Sequence, residues 1–493
     1  MSKKHHFKDI KDIRIYDNAE DALKRIHEIY DKNAKAICKS FASFATGEVS
    51  EPASPKDAVY PFVGFHVAAS DIKQDDTWQS YGLASEPGIY GTTLTHPDIF
   101  HDYYFEQLSL IMKNHEIPVV VGLSDTEIPL PFVVEKSPAY LDQEQKWQMQ
   151  VEYALPNLSN INDDIANSRM QLSPDSLRPL ALFNALRVDY SLHRLHHYTA
   201  TSPKHFQKFI LLTNYQRYMD EFKEFALEEI TKDTGYTEFV EPGDFITSTD
   251  PNFSQKHQGE KPDHLPQMPT YHLKRKDGNG ITFMNIGVGP SNAKTATDHL
   301  AVLRPHCWLM VGHCGGLRKN HMLGDYILGH AYVRYDNILN NDLPISAPLP
   351  AIAEVQIALE QAVANVTKLS GHELKNRLRT GTVATTDDRN WELRSSEIFE
   401  HLMQSRAIAV DMESATIAAN GFRFRVPYGT LLCVSDKPIH GEIKLRGSAN
   451  KFYDHKTSQH LEIGLKTVEL LRERGVESLH SRKLRGFDEP PFR

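Results

Sequence analysis

The stretch Leu431-Leu432-Cys433-Val434-Ser435-Asp436-Lys437-Pro438 is an apolar run that ends in a serine, an aspartate and a proline. The apolar residues predict a buried strand, and Pro438 ends it because proline cannot continue the ladder of hydrogen bonds. In an open α/β sheet, ligands bind outside the carboxyl ends of the strands. Asp436 therefore lies where a catalytic carboxyl group is expected, although a strand-end cap or a salt-bridge partner of Lys437 explains it equally well.

The size and composition indicate a globular protein of two domains. With 493 residues, the chain is too long for one ordinary core. Hydrophobic residues make up 40% and charged residues 24% of the chain, and the net charge of −9 argues against binding nucleic acid through bulk attraction. No run approaches the roughly 20 apolar residues of a membrane span, and the first residues form no apolar signal region, so we expect no membrane partner and a cytoplasmic location.

The pattern of hydrophobic residues differs between the two parts of the chain. Residues 1–190 predict an α+β domain of helices and antiparallel strands. In residues 191–493, apolar runs alternate with helical runs, which predicts an α/β domain with a mostly parallel sheet covered on both faces. Residues 241–276 are rich in proline, glutamine, histidine and lysine without periodicity, and we interpret them as a surface insertion in the second domain.

Two glycine-rich turns follow predicted strands of the second domain. In Gly287-Val288-Gly289-Pro290-Ser291-Asn292, backbone N–H groups can approach an anion at the start of a helix, but a plain tight turn has the same pattern. The glycines of Gly312-His313-Cys314-Gly315-Gly316-Leu317 indicate close approach of the backbone to a ligand or to another segment. Gly289, His313 and Gly315 are therefore candidate binding residues, although a lone histidine is more often a hydrogen-bonded core residue.

Glu413 follows the predicted strand Ile408-Ala409-Val410 at the start of a helical run. A carboxylate there can accept hydrogen bonds from two vicinal hydroxyl groups. On residue type alone, an acid that favours the helix dipole in the first turn is the better explanation. Neither the cysteines nor the histidines show metal-ligand spacing, so no metal site is predicted.

The order of these features, from the first glycine turn to the Met-Glu and Ser-Asp pairs, resembles the nucleoside phosphorylase and nucleosidase superfamily. Asp411-Met412-Glu413-Ser414-Ala415 is similar to the ribose-binding segment of that superfamily, and Val434-Ser435-Asp436 to its purine-activating segment. The resemblance implies a nucleoside-phosphorylase-like mixed sheet flanked by helices. It also implies that Met412 and Glu413 contact the ribose.

A closer resemblance covers the whole chain. The segments 187–195, 197–199 and 213–216 are similar to those of AMP nucleosidases, which join an amino-terminal regulatory domain to the nucleosidase fold. The resemblance implies hydrolysis of AMP to adenine and ribose 5-phosphate, without a cofactor for the chemistry. It further implies activation by ATP, with which magnesium enters, inhibition by phosphate, and assembly as a homo-hexamer.

The resemblance assigns the chemistry to three side chains. Asp436 donates a proton to N7 of adenine, Ser435 orients the Asp436 carboxyl group, and Glu413 holds the ribose 2′ and 3′ hydroxyls while water attacks C1′. The apolar run before Asp436 predicts its burial, and burial favours the protonated form of a carboxyl group. Trp391 is a candidate stacking surface for adenine, with a core tryptophan as the alternative.

The 5′-phosphate of AMP needs cations, and the segment before the first strand of the second domain supplies them. Arg194 and His197 are the first candidates, with Tyr215 and Arg217 as further binding residues; a solvated basic helix is the alternative. Hexameric purine phosphorylases hold the attacking phosphate with an arginine and a serine three residues apart, where this chain has Met310 and His313. Water is therefore favoured as the nucleophile. Phosphorolysis and a noncatalytic purine nucleotide sensor are the alternative functions.

Overall fold

The chain forms two compact units in the computed structural model, one from Met1–His193 with Arg485–Arg493 and the other from Arg194–Leu484. The structure describes residues 7, 9–47, 57–72, 79–134, 139–170, 173, 176–254, 258–441, 448–479 and 484–493. The carboxyl-terminal residues, expected in the second domain, belong to the first unit. There the backbone N–H of Gly82 donates to Pro491 and that of Phe492 donates to Leu180, and the Phe492 side chain is buried.

The first unit is an α+β domain, as the sequence predicts. Its elements, in chain order, are β1 (Lys11–Tyr16), α1 (Ala19–Thr46), β2 (Val59–Val67), β3 (Gly88–Thr93), α2 (Pro97–His115), β4 (Val119–Glu127), α3 (Gln143–Glu152) and β5 (Arg178–Pro179). Within the described residues, the strands form one sheet in the order β1-β4-β2-β3-β5, antiparallel except for the β3–β5 pair. The boundary between the units falls within the helix α4 (Ala185–Thr199).

Residues close in sequence determine both ends and the buried face of helix α1. The Asn18 side chain accepts a hydrogen bond from the backbone of Asp21 at the amino end, a cap worth about 1 kcal/mol. Gly47, at φ 72°, ends the helix in the left-handed conformation. The buried residues recur at helical spacing, so one face of α1 packs into the core of the first unit.

The second unit contains the larger sheet. Its elements are β6 (Phe209–Thr213), α5 (Gln216–Glu229), β7 (Tyr236–Glu241), β8 (Phe245–Ser248), β9 (Thr270–Arg275), β10 (Ile281–Asn285), α6 (Pro290–Leu300), β11 (Cys307–Gly316), β12 (Tyr326–Tyr335), α7 (Ala353–Thr367), α8 (Gly371–Arg377), β13 (Leu378–Thr386), α9 (Ser395–Gln404), β14 (Ala409–Asp411), α10 (Ser414–Phe424), β15 (Tyr428–Asp436) and α11 (Ser448–Glu473).

The described strands of the second unit form a mixed sheet in the order β14-β13-β12-β15-β11-β6-β10-β9-β7-β8, and β14 also pairs with β11. This extra pairing closes the five strands from β14 to β11 on themselves. Strands β15, β11, β6 and β10 run parallel, so their carboxyl ends meet at one edge. The same closure brings the carboxyl end of β14 next to that of β11, where Gly315 pairs with both Val410 and Asp436.

The segment 241–276, expected to be a surface insertion, contributes two strands to the sheet. Strand β9 pairs with β10 and β7, and β8 pairs with β7, all antiparallel. These strands are short and the residues between them lack periodicity, which is why the pattern alone did not predict them. No helix in the described ranges combines the length and apolar character that crossing a membrane requires.

Candidate active site

A cavity of about 210 Å³ opens in the second unit where the carboxyl ends of its strands meet. Its lining comes from the residues after β6, from the ends of β11, β13, β14 and β15, and from the loop after β13. Both acids singled out from the sequence, Glu413 and Asp436, line this cavity. The closure of β14 onto β11 therefore brings together two carboxyl groups that the chain carries on different strands.

The carboxylate of Glu413 is anchored through both of its oxygens. The backbone N–H of Gly289 donates to Oε1 at 2.7 Å, and the Asn214 side chain donates through Nδ2 to Oε2 at 3.0 Å. Gly289 has φ 111° and precedes α6, a conformation that glycine adopts without strain. The glycine turn thus directs a backbone donor at a carboxylate of the protein itself.

A second carboxyl group, Asp411, lies beside Glu413 and is also buried. Its Oδ1 accepts a hydrogen bond from the Thr385 hydroxyl at 2.6 Å, and its Oδ2 accepts one from the backbone of Ser414 at 2.9 Å. The Ser414 hydroxyl also donates to Oδ2. These bonds tie the end of β14 to the end of β13 and to the start of α10.

Burial raises the pKa of both acids, and for Glu413 the neighbouring charge of Asp411 adds to the rise. Burial, together with the nearby charge of Asp411, raises the pKa of Glu413 to about 8, against the donors Gly289 and Asn214, which lower it. Burial also raises the pKa of Asp411, and its bonds from Ser414 and Thr385 oppose that rise. The ionised form of Glu413 is therefore costly in the site, and each hydrogen bond to it matters.

Asp436 ends β15 and faces the cavity. The Ser435 hydroxyl is 2.5 Å from Oδ1 of Asp436 and 3.3 Å from the carbonyl oxygen of Cys314. Ser435 is buried, whereas Asp436 is half-buried. The sequence predicted burial of Asp436; its exposure is greater because the side chain leaves the packed strand and turns toward the cavity.

Five further candidates from the sequence contribute to the lining: Tyr215, His313, Gly315, Trp391 and Met412. The rings of Tyr215 and His313 meet edge to face, with their centroids 4.7 Å apart. Trp391 has a second environment, because it also packs in a buried cluster with the carboxyl-terminal part of β13 and with the segment 402–410. It is thus a core residue that also forms part of the cavity wall.

Four candidate residues for phosphate or substrate binding lie outside the cavity lining of the second unit: Arg194, His197, Arg217 and Gly289, the last of which bonds to Glu413 instead. The Arg194 guanidinium stacks on the Tyr198 ring, 4.5 Å from its centroid, and donates to the Tyr198 hydroxyl. The ring of His197 also packs edge to face on Tyr198. Met310 is fully buried in β11 and likewise lies outside the lining.

The structure adds cavity residues that the sequence analysis did not single out, notably Asn214, Arg389 and Glu392. Asn214 directly follows β6, so the strand-end argument applied to Asp436 could have identified it. Arg389 lies in the loop after β13 and Glu392 in the short 3₁₀ helix Trp391–Arg394, and neither shows such a signal. In the part of the chain that the structure describes, no group of three or more His, Cys, Asp or Glu residues is arranged to hold a metal ion.

Two family models match the chain. The model described as "Bacterial AMP nucleoside phosphorylase N-terminus" matches residues 21–177, in the first unit. The model described as "Phosphorylase superfamily" matches residues 236–467, in the second unit. The second match includes Glu413 and Asp436 and most of the sheet that positions them.

Individual proteins resemble the chain over different lengths. The AMP nucleosidase of Escherichia coli (strain K12) is 46% identical over 476 residues, which cover 96% of this chain and 98% of that protein. The 5′-methylthioadenosine/S-adenosylhomocysteine nucleosidase of Desulfotalea psychrophila is 22% identical over 209 residues, 41% of this chain and 86% of that protein. The crystal structure of AMP nucleosidase from Bacteroides thetaiotaomicron is 28% identical with a TM-score of 0.43, covering 58% of this chain and 98% of that one.

Proposed function

This chain belongs to the AMP nucleosidase family, and we propose that it hydrolyses the N-glycosidic bond of AMP, releasing adenine and ribose 5-phosphate. The observation that carries the proposal is the presence of Glu413 and Asp436 in the lining of one cavity. One carboxyl group can hold the sugar while the other protonates the base, and these are the two tasks that the reaction requires.

Glu413 recognises the ribose in this proposal. When ionised, its carboxylate accepts hydrogen bonds from the 2′ and 3′ hydroxyls, since each oxygen keeps a lone pair beyond those used by Gly289 and Asn214. These contacts fix the sugar in the cavity and support the positive charge that develops on the ribose as the bond to the base breaks. An AMP analogue without the 2′ hydroxyl is expected to be a poorer substrate.

Asp436 acts as the general acid toward N7 of adenine. Protonation makes the base a better leaving group, and general acid catalysis of this kind contributes about 10²- to 10⁴-fold in rate. The Ser435 hydroxyl donates to Oδ1 of Asp436, which leaves Oδ2 to carry the proton toward the base. Trp391, Met412 and Gly315 complete the wall against which the nucleoside packs.

Water is the proposed nucleophile at C1′. The fully buried thioether of Met310 offers no charge to an attacking phosphate, and His313 faces the cavity where related phosphorylases have a serine. Phosphorolysis, which consumes phosphate and forms a ribose 1-phosphate product, is the second candidate. A sensor that binds AMP without turnover is the third, and the pairing of an acid for the base with an acid for the ribose argues against it.

The 5′-phosphate requires a cation near the cavity. Arg389 lines the cavity, and we propose it as the first phosphate contact to test. Arg194 and His197 lie outside this lining, so a role for them requires the neighbouring subunit of a homo-hexamer. That assembly, activation by ATP with magnesium and inhibition by phosphate are proposals that rest on the family.

A product assay tests the proposed function. The purified protein is incubated with AMP, with and without inorganic phosphate, and adenine and the sugar product are quantified. We expect adenine and ribose 5-phosphate in equal amounts in both conditions. Adenine release that depends on phosphate would establish phosphorolysis, and AMP binding without adenine release would establish a sensor. Adding ATP with magnesium to the same assay tests activation.

A further inference from the structure

Asn214 lies between β6 and α5, where the carboxyl end of a central strand meets the cavity. Its side chain reaches a residue 199 positions away in sequence, because Nδ2 donates to Oε2 of Glu413 at 3.0 Å. We propose that Asn214 is a positioning residue for AMP hydrolysis, which orients the Glu413 carboxylate toward the ribose hydroxyls. This inference rests on the proposed role of Glu413 in ribose recognition.

The geometry places Glu413 between two donors from neighbouring strands. Asn214 follows β6, and Gly289 lies in the turn after β10, the parallel neighbour of β6. One donor serves Oε1 and the other serves Oε2, so the plane of the carboxylate is set from two sides. The backbone donor of Gly289 remains in any side-chain variant, so Asn214 is the donor that a substitution can remove.

The orientation of the Asn214 amide follows from this contact. Turning the amide over would place Oδ1 against the Glu413 carboxylate, and two acceptors would then repel each other. In the observed orientation Oδ1 is buried, and no described residue donates a hydrogen bond to it. A buried acceptor without a donor is costly, so the bond to Glu413 outweighs that cost.

The same contact has an electrostatic consequence. Burial and Asp411 raise the pKa of Glu413, while the bonds from Gly289 and Asn214 lower it. Removing Asn214 leaves only the backbone donors of Gly289 and Met412 to lower the pKa of Glu413 against burial and Asp411. The neutral form of Glu413 then persists to higher pH, and a neutral carboxyl group has fewer lone pairs to offer the two ribose hydroxyls.

The test compares Asn214→Leu and Asn214→Asp with the parent enzyme, using AMP and 2′-deoxy-AMP over a range of pH. A hydrogen bond to a charged group is worth enough to predict a loss of about 10- to 100-fold in kcat/KM with AMP for Asn214→Leu. We expect a smaller loss with 2′-deoxy-AMP, and an acidic limb of the pH profile that moves to higher pH. Asn214→Asp, of nearly the same shape, should lose more, because another carboxylate, in addition to that of Asp411, then faces Glu413.

The matched control is Asn279→Leu. Asn279 also makes one side-chain hydrogen bond, to His306 at 2.9 Å, but it lies outside the cavity lining. The Asn279→Leu variant should have the same kcat/KM and the same pH profile as the parent enzyme. Thermal melting of all variants separates loss of folding from loss of function. If Asn214→Leu does not fold, Asn214→Asp alone tests the inference.

Three results would overturn the inference. The first is wild-type kcat/KM for both Asn214 variants. The second is an equal loss of kcat/KM with AMP and with 2′-deoxy-AMP, together with an unshifted pH profile. The third is a double variant, Asn214→Leu with Glu413→Gln, whose loss of kcat/KM is the full product of the two single losses. A residue that acts through Glu413 must have little further effect once Glu413 is replaced. If Glu413→Gln alone keeps wild-type kcat/KM, the proposed role of Glu413 in ribose recognition fails instead. Failure of that role is thereby distinguished from failure of the positioning role of Asn214.

Discussion

The Ser435–Asp436 pair places a hydroxyl donor and a carboxyl group side by side at the end of one strand. Because Ser435 is buried and also lies 3.3 Å from the carbonyl oxygen of Cys314, its hydroxyl is held in place by the sheet. The Asp436 side chain is thereby oriented by its own neighbour in sequence.

Asp436→Asn should retain AMP binding and lose most turnover. The amide keeps the shape of the side chain but cannot transfer a proton to N7, so we expect kcat to fall by about 10²- to 10⁴-fold. Adenine release measures kcat, and calorimetric titration measures AMP binding. Near wild-type turnover by this variant would contradict the proton-donor role.

The raised pKa of Glu413 predicts a pH dependence. A carboxyl group whose pKa is raised stays neutral until the pH approaches that value, here about 8, and only then becomes the better acceptor for the ribose hydroxyls. We therefore expect kcat/KM with AMP to rise with pH through about 8 and to level off above it. Glu413→Gln, which cannot ionise, should lower activity and abolish this limb. A limb that survives in Glu413→Gln would belong to another group, such as the phosphate of AMP.

Arg389→Ala tests the phosphate contact. If the guanidinium binds the 5′-phosphate, its loss should lower kcat/KM with AMP by about 10- to 100-fold, the value of a charge-assisted hydrogen bond. The residual activity with adenosine, which has no phosphate, should change little. Equal losses with the two substrates would place Arg389 against the base or the ribose. Arg194→Ala, assayed beside it, tests the candidate that lies outside the cavity lining.

At the scale of elements, a buried histidine ties α11 to the centre of the sheet. His460 accepts from the Tyr218 hydroxyl through Nδ1 at 2.8 Å and donates through Nε2 to the carbonyl oxygen of Leu431 at 3.0 Å. Acceptance at Nδ1 needs the neutral ring, with its proton on Nε2, whereas donation from Nε2 to Leu431 would also be made by the charged ring. Three elements, α5, β15 and α11, thus meet at one side chain just behind the strand that ends in Asp436.

His460→Gln should reveal this contact through the pH dependence of stability. Burial lowers the pKa of His460 to about 3, far below its ordinary value, so the unfolded chain binds a proton that the folded chain does not. The contribution of the neutral, buried His460 to the free energy of unfolding is fully present above about pH 6.5 and is lost progressively as the pH falls below that value. We expect the stability advantage of the parent over the variant to shrink by about 2 kcal/mol between pH 7.5 and pH 5. Urea unfolding at both pH values measures this.

The exposed His330, on β12, supplies the control for that experiment. His330→Gln also removes one histidine but leaves the buried contact intact, so it shows the effect of losing a histidine that does not make this contact. If the difference between parent and His460→Gln is the same at both pH values, the neutral buried state assigned to His460 is wrong.

At the scale of the whole molecule, the two units carry different parts of the proposed activity. The residues proposed for chemistry lie in the second unit, which the phosphorylase superfamily model matches over residues 236–467. The first unit matches its own family model and supplies none of the described lining of the cavity. Its proposed role is regulatory and depends on the family rather than on a site identified in the structure.

Much of the fold was predictable because it depends on local patterns. Alternating apolar and helical runs predicted the α/β class of the second unit and the α+β class of the first, since strand and helix periodicities are properties of neighbouring residues. The strands β8 and β9 were missed because they are short and antiparallel, and their pairing partners rather than their own pattern define them.

By itself, the sequence determined the two-part organisation, the strand that ends in Asp436, the acid at the start of α10 and the resemblance that linked them. The tertiary structure alone decided which groups meet: the closure of β14 onto β11, the clamp of Gly289 and Asn214 on Glu413, and the presence of Arg389 in the cavity lining. The reason is physical. Strand ends and turns follow from local chemistry, whereas contacts between distant residues depend on strand order and register, which are set when the whole sheet packs.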